Sequence, residues 1–226
     1  MDKVILVSNK IYGKQIYNKL KLLKLPFKFY FISHKEKFNY KNIKKINPKF
    51  IFVPFWSSLI AKEIYLNFKC INFHITDLPY GRGGTPLQNL ILKKFEKTKI
   101  TAFECNNIVD GGDVYLKKSL SLKGNADEIF TRSSKIIIKM IIEILNKKIK
   151  PKPQNGKIYK FTRRLPSQSK INNIEDLKNL YDFIRMLDAK GYPNSFIETK
   201  KLKFEFTNAK IYKRYLTASV KVIKKN

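Results

Sequence analysis

Asn72 and His74 stand two positions apart in the run Cys70–His74. If that run is a β-strand, both side chains leave one face near its carboxyl end. An amide donor and a titratable imidazole then meet at one spot. In an acyl transfer, that pairing can hold a tetrahedral oxyanion and manage the proton lost by an attacking amine. Taken alone, the pair is equally compatible with a buried structural role. A second feature adds a carboxylate: Asp110 opens the turn Asp110-Gly111-Gly112-Asp113, whose glycines permit a tight bend or a close ligand approach. An ordinary hairpin turn carries the same residues, but an acidic partner could also hold the tautomer of a neighbouring imidazole.

The elements that must position these groups follow from patterning. Short apolar runs alternate with amphipathic stretches over the first hundred residues, which predicts a parallel sheet covered by helices, an α/β class. Strands are expected at Lys3–Ser8, Phe27–Ser33, Phe50–Pro54 and Cys70–His74, and helices at Tyr12–Lys24, Tyr40–Ile46 and Ser58–Asn67. The turn Pro54-Phe55-Trp56-Ser57 then falls at the carboxyl end of a strand, where ligands gather in open α/β sheets. A loop over Ile75–Thr85 leads into a helix from Pro86 to about Phe95, started by Pro at its first turn. Strands Lys99–Asn106 and Val114–Leu120, a long helix Asn125–Lys147, and a proline-containing linker Lys148–Asn155 complete a domain over residues 1–150. The remainder, 157–226, reads as a small α+β appendage with a helix at Glu175–Asp188 and strands within Ser195–Thr199, Lys201–Phe206 and Leu216–Ile223.

Composition bounds the function. Lys139 and Glu143 interrupt the longest apolar stretch, so none approaches the roughly 18 residues needed to span a bilayer. The amino terminus lacks a secretory pattern, which argues for the cytoplasm. Two cysteines, Cys70 and Cys105, supply neither a disulfide framework nor a zinc set. A net charge of +30 invites a polyanionic partner, yet only six of the 47 basic residues are the arginines that favour phosphate and base recognition. Scattered lysines read most simply as compositional bias, with an RNA-binding surface as the alternative.

The segment Asn72 to Leu90, together with Val109-Asp110-Gly111-Gly112-Asp113-Val114, resembles the Asn-x-His segment and second catalytic loop of folate-dependent formyltransferases. The resemblance covers roughly residues 1–150. It implies a Rossmann-like catalytic domain with a mainly parallel sheet, Asn72, His74 and Asp110 as catalytic trio, and N10-formyltetrahydrofolate as formyl donor with no metal. By position it places Trp56, Ser57, Ser58, Leu59 and Val109 at the folate, although Trp56 would serve equally as a core or rim aromatic. Within the family, Tyr80–Leu90, Phe161–Pro166 and Tyr181–Pro193 are similar to sugar N-formyltransferases of the pseudaminic acid type. Asp113 departs from the Pro expected in that branch.

The resulting expectation is formyl transfer to a nucleotide-linked amino sugar, a UDP-sugar being favoured, with Tyr80, Arg82, Thr85, Arg163 and Arg164 at the substrate and with neither nucleic acid nor membrane as partner. Methionyl-tRNA formyltransferase is the alternative. Against it, the 70 residues from Lys157 onward look too few for the complete tRNA-binding domain that such relatives carry. A non-catalytic nucleic-acid-binding protein on a retained enzyme scaffold is a third reading.

Overall fold

Hydrophobic residues at alternate and near-consecutive positions of the first strands have one way to leave water, which is between layers of helix. The computed structural model, which describes residues 1–225, shows that arrangement. The chain begins with β1 (Asp2–Val7), α1 (Ile11–Leu22), β2 (Phe27–Ile32), α2 (Tyr40–Ile46), β3 (Phe50–Pro54), α3 (Lys62–Asn67) and β4 (Cys70–His74). It continues with β5 (Tyr80–Gly83), α4 (Pro86–Leu92), β6 (Lys97–Glu104), β7 (Val114–Ser121), α5 (Ala126–Asn146) and β8 (Tyr159–Phe161). The last elements are α6 (Leu177–Arg185), β9 (Ser195–Glu198), β10 (Leu202–Ile211) and β11 (Leu216–Lys224).

Six strands form the main sheet in the order β2-β1-β3-β4-β6-β7. Strand β1 runs parallel to β2 and β3, β3 parallel to β4, and β4 antiparallel to β6. The sheet is thus mainly parallel, and the α/β class expected from patterning is the fold observed. Ile5, Val7, Ile51 and Val53 are fully buried with Ile43 of α2 and Ile64 of α3 in one cluster. Each such side chain contributes about 1.5–3 kcal/mol relative to exposure.

The chain divides into two compact units. One holds Met1–Gly83, Thr98–Leu120 and Thr131–Lys160; the other holds Gly84–Lys97, Ser121–Phe130 and Phe161 onward. In the second unit, β9, β10 and β11 make an antiparallel sheet in the order β11-β10-β9. Helix α6 is capped by Asp176, whose side chain accepts from Lys178 N, and buries Asp182, Phe183 and Ile184. The start of α5 is closed by a reciprocal cap: Asn125 Oδ1 accepts from Glu128 N and Glu128 Oε2 accepts from Asn125 N, both at 3.0 Å.

Three local expectations give way. The helix expected from Ser58 begins only at Lys62, because Phe55 takes a left-handed φ of 52° and Ser57 Oγ accepts from Asn9 Nδ2 at 3.0 Å, which holds the preceding turn open. Part of the Ile75–Thr85 loop is the short strand β5, paired with β8. Its glycines, with Gly81 at φ 76° and Gly83 at φ 107°, hide any period-two pattern. The expected linker is also pinned: Lys152 and Val114 exchange backbone hydrogen bonds of 2.7 and 3.0 Å.

Candidate functional site

Strand β4 presents Ile71 and Phe73 to one side of the sheet and Asn72 and His74 to the other, as alternation requires. His74 is only 8% exposed. Its Nε2 lies 2.7 Å from the Gly81 carbonyl oxygen, which can only accept, so Nε2 carries a proton. Nδ1 faces Asp110 Oδ2 at 3.7 Å, within ion-pair reach. Asn72 Oδ1 accepts from Phe73 N at 2.8 Å, which leaves the Asn72 amide NH2 as the donor end.

The loop between β6 and β7 delivers Asp110. That residue takes a left-handed φ of 51°, an unfavourable conformation for a side chain with a Cβ, and the local bonding explains how it persists. Asp110 Oδ2 accepts from Gly83 N at 2.9 Å. Gly112 is required sterically, since a Cβ there would lie 1.7 Å from the Glu104 carbonyl oxygen. The structure therefore brings His74 and Asp110 together, with the backbone of β5 holding both: Gly81 accepts from the imidazole and Gly83 donates to the carboxylate.

Sequence reasoning missed Gln154. It lies in the segment read as a linker, yet its Nε2 donates to the carbonyl oxygens of Asp110 and Gly112, both at 2.9 Å. Its Oε1 accepts from Arg82 Nε at 3.2 Å and Nη2 at 2.8 Å. No spacing rule connects residues 44 and 72 positions apart. The one available signal was the pair Pro151 and Pro153, which stiffens the segment around a polar residue.

The residues expected at folate and substrate are placed as follows. Trp56 packs edge-to-face on Phe38, with ring centroids 5.7 Å apart, and joins the buried cluster, while its indole N–H is enclosed without an acceptor among the described residues. Ser57 is exposed and Ser58 half-buried. Leu59 and Val109 are 84% and 57% exposed. A neighbouring cleft of about 590 Å³ is lined by Lys62, Tyr65, Glu104, Cys105, Gly112 and Asp113 among others. Cys105 also raises the Cys70 thiol well above its ordinary range through a hydrogen bond, and burial acts in the same direction, so Cys70 stays a protonated core residue.

Tyr80 stacks on Tyr159 at 4.9 Å between centroids. Arg82 is 8% exposed and clasped by Gln154, not presented to solvent. In the other unit, Thr85 Oγ1 accepts from Arg164 N at 3.1 Å. A Cβ on Gly84 would fall 2.5 Å from Arg163 Cβ, so that pair is a tight backbone approach. Arg164 donates to the Gln168 carbonyl and lies over the Phe183 ring. Among the described residues no cluster of three or more His, Cys, Asp or Glu is arranged to hold a metal, and no helix is long and apolar enough to cross a membrane.

Residues 166–223 match the family model described as methionyl-tRNA formyltransferase, C-terminal domain. A solved structure named methionyl-tRNA formyltransferase from Clostridium thermocellum is 41% identical, covers all of both chains and superposes with a TM-score of 0.96. A methionyl-tRNA formyltransferase of Campylobacter jejuni (strain RM1221) is 29% identical over 76% of this chain and 56% of its own length. The chain thus spans little more than half of that longer relative. HypX from Aquifex aeolicus, solved in complex with tetrahydrofolic acid, shares the fold at 16% identity and a TM-score of 0.74 over 91% of this chain and 37% of its own.

These matches overturn two expectations: the UDP-linked amino sugar as substrate and the exclusion of nucleic acid as partner. The argument from size fails with them, because the short appendage is itself the segment matched by the C-terminal model. The segments taken as marks of a sugar branch make internal contacts in the structure. Arg82 is bound by Gln154, Thr85 Oγ1 accepts from Arg164 N, and Arg185 donates to the carbonyls of Leu122 and Gly124 at 2.7 and 2.8 Å.

Proposed function

The chain belongs to the formyltransferase family, and on that premise we propose that it transfers a formyl group from N10-formyltetrahydrofolate to the amine of methionyl-tRNA in the cytoplasm. The observation that carries this reading is the 41% identity, held over the full length of both chains, with a protein named for that activity. The net charge of +30 supports it, since a tRNA presents many phosphates.

In this reading the division of labour follows the sequence: residues 1–150 carry the chemistry and 157–226 contribute to holding the tRNA. Leu59 and Val109, exposed aliphatics at two turns beside the carboxyl ends of strands, are the surface that an apolar pterin would cover, with Trp56, Ser57 and Ser58 shaping the first of those turns. The neutral methionyl amine attacks the formyl carbon. A C–N bond forms, the carbonyl oxygen becomes an oxyanion, and Asn72 Nδ2 donates to it while the positive charge of a protonated His74 close by stabilises it electrostatically. Asp110 orients His74 and assists departure of the amine proton. Collapse of the intermediate breaks the bond to N10, and that nitrogen leaves with a proton as tetrahydrofolate.

The test is direct. Purified protein, N10-formyltetrahydrofolate and initiator tRNA charged with methionine should give formylmethionyl-tRNA, scored by mass spectrometry of the released amino acid. Absence of product under conditions where the formyl group is still transferred to another amine, with release of tetrahydrofolate, would overturn the acceptor; absence of any donor turnover would overturn the reading altogether.

A further inference from the structure

The His74–Asp110 pair is not self-supporting. Its two anchors lie on either side of one residue of β5: Gly81 O accepts from His74 Nε2 at 2.7 Å, and Gly83 N donates to Asp110 Oδ2 at 2.9 Å. The residue between them is Arg82, a guanidinium only 8% exposed, which must find acceptors where it is buried. It finds one in Gln154 Oε1, which takes both Arg82 Nε and Nη2. The other end of the same amide donates to the main-chain carbonyls of Asp110 and Gly112. One side chain therefore closes a ring that runs from β5 through Arg82 and Gln154 to the Asp110 loop and back to β5.

Gln fits this role through its chemistry. Two carbonyls demand donors and a guanidinium demands an acceptor, and a terminal carboxamide alone among side chains of this length offers both. Its own backbone is fixed in turn, since Lys152 pairs with Val114 at the foot of β7 and Pro153 precedes it. Asp110 depends on such support more than most residues would, because its left-handed φ of 51° has no glycine to relieve it.

We propose that Gln154 is a positioning residue for the reaction: by tying Arg82 to the Asp110 loop it sets the distance and angle at which the Asp110 carboxylate meets His74 Nδ1. It touches neither donor nor acceptor. The kinetic part of the claim rests on the formyl-transfer reading above; the spectroscopic part does not.

Gln154→Met preserves volume and removes all four hydrogen bonds, whereas Gln154→Glu keeps the acceptor for Arg82 but sets a carboxylate oxygen against two carbonyls. Both should lower kcat by roughly ten- to a hundredfold, with the KM of each substrate changing less than about twofold, as expected when reacting groups are misplaced and binding is intact. In an Asp110→Asn background Gln154→Met should cost less than about twofold more, because residues acting through one another are not additive. The chain has only two histidines, so a His34→Asn variant leaves His74 as the sole imidazole. Its ring Nε2–H signal, protected by Gly81 O, should exchange at least roughly tenfold faster with solvent once Gln154→Met or Gln154→Glu is added. If Gln154→Met fails to fold, Gln154→Glu carries the comparison. Unchanged kcat, an unchanged Nε2–H signal, or a full multiplicative loss in the Asp110→Asn background would each overturn the proposal. Inactivity of the parent protein would count against the formyl-transfer reading, and the His74 signal would still decide the role of Gln154.

Discussion

His74 is a polar ring in a nearly dry place, and a buried donor left without a partner costs about 1–3 kcal/mol. The Gly81 carbonyl removes that cost at Nε2, and the Asp110 carboxylate faces Nδ1 at 3.7 Å. Asn72 adds an amide whose oxygen is already occupied by Phe73 N, so its free capacity is donation. Three groups with fixed hydrogen-bonding roles therefore set a clear expectation. Alanine at Asn72 or His74 should reduce formyl transfer by at least roughly a hundredfold while leaving the fold intact, and Asp110→Asn should do the same by removing charge with little change of shape. Full turnover by a folded His74→Ala protein, with folding verified by circular dichroism, would remove the assignment. The Asn72–His74 alignment was legible in the sequence because a two-residue spacing in a strand fixes a common face. The Arg82–Gln154 clasp was not. It depends on a side chain reaching across from a remote segment, and no periodicity encodes that.

Elements were legible where burial alone determines them. Strands β3 and β4 and helix α2 have the bounds read from the sequence, because a run of apolar residues bounded by turns leaves few choices. Strands β5 and β8 escaped notice because glycine carries no hydrophobic signal and their pairing is set by tertiary contact. A related contact lies just ahead of β5. Asp77 is ion-paired with Lys99 of β6 at 2.8 Å and Lys117 of β7 at 2.6 Å. Burial pulls its carboxyl upward, but hydrogen bonds from the two ammonium groups outweigh that and hold it below the usual carboxylate range. A carboxylate depressed in the folded state stabilises the protein above its unfolded pKa, and that stability is lost as pH falls through the folded value. Asp77→Asn should therefore flatten the acid limb of a plot of Tm against pH while changing Tm little at neutral pH, since half-exposed pairs are screened and contribute about 1 kcal/mol or less. An acid limb identical to that of the parent would show that other carboxylates control it.

At the scale of the whole molecule, charge is the feature that the sequence displayed and did not explain. Lysines scattered along a chain look like compositional bias, and the distinction between bias and function lies in where they sit relative to groups that can read a nucleic acid. The hairpin joining β10 and β11 supplies such a place. Tyr212 and Tyr215 stack at 4.6 Å across its tip and remain 45% and 56% exposed, with Lys213 and Arg214 between them. Exposed aromatic faces beside cations form a platform for an unpaired base as well as a contact for phosphate. The two contributions separate experimentally. Phosphate contacts release counterions, so tRNA affinity should fall steeply with salt, on the order of a thousandfold between 50 and 200 mM if about six phosphates are neutralised. Replacing Lys213 and Arg214 together by alanine should weaken binding and reduce the slope of log affinity against log salt by up to about 1 for each cation. Replacing Tyr212 and Tyr215 by alanine should instead weaken binding by about 1–3 kcal/mol per stacked base and leave the slope unchanged. Fluorescence anisotropy of labelled methionyl-tRNA over a salt series measures all three quantities. A shallow slope in the parent protein would mean that the +30 charge is not spent on nucleic acid, and a tyrosine variant binding as tightly as the parent would move the tRNA contact away from this hairpin.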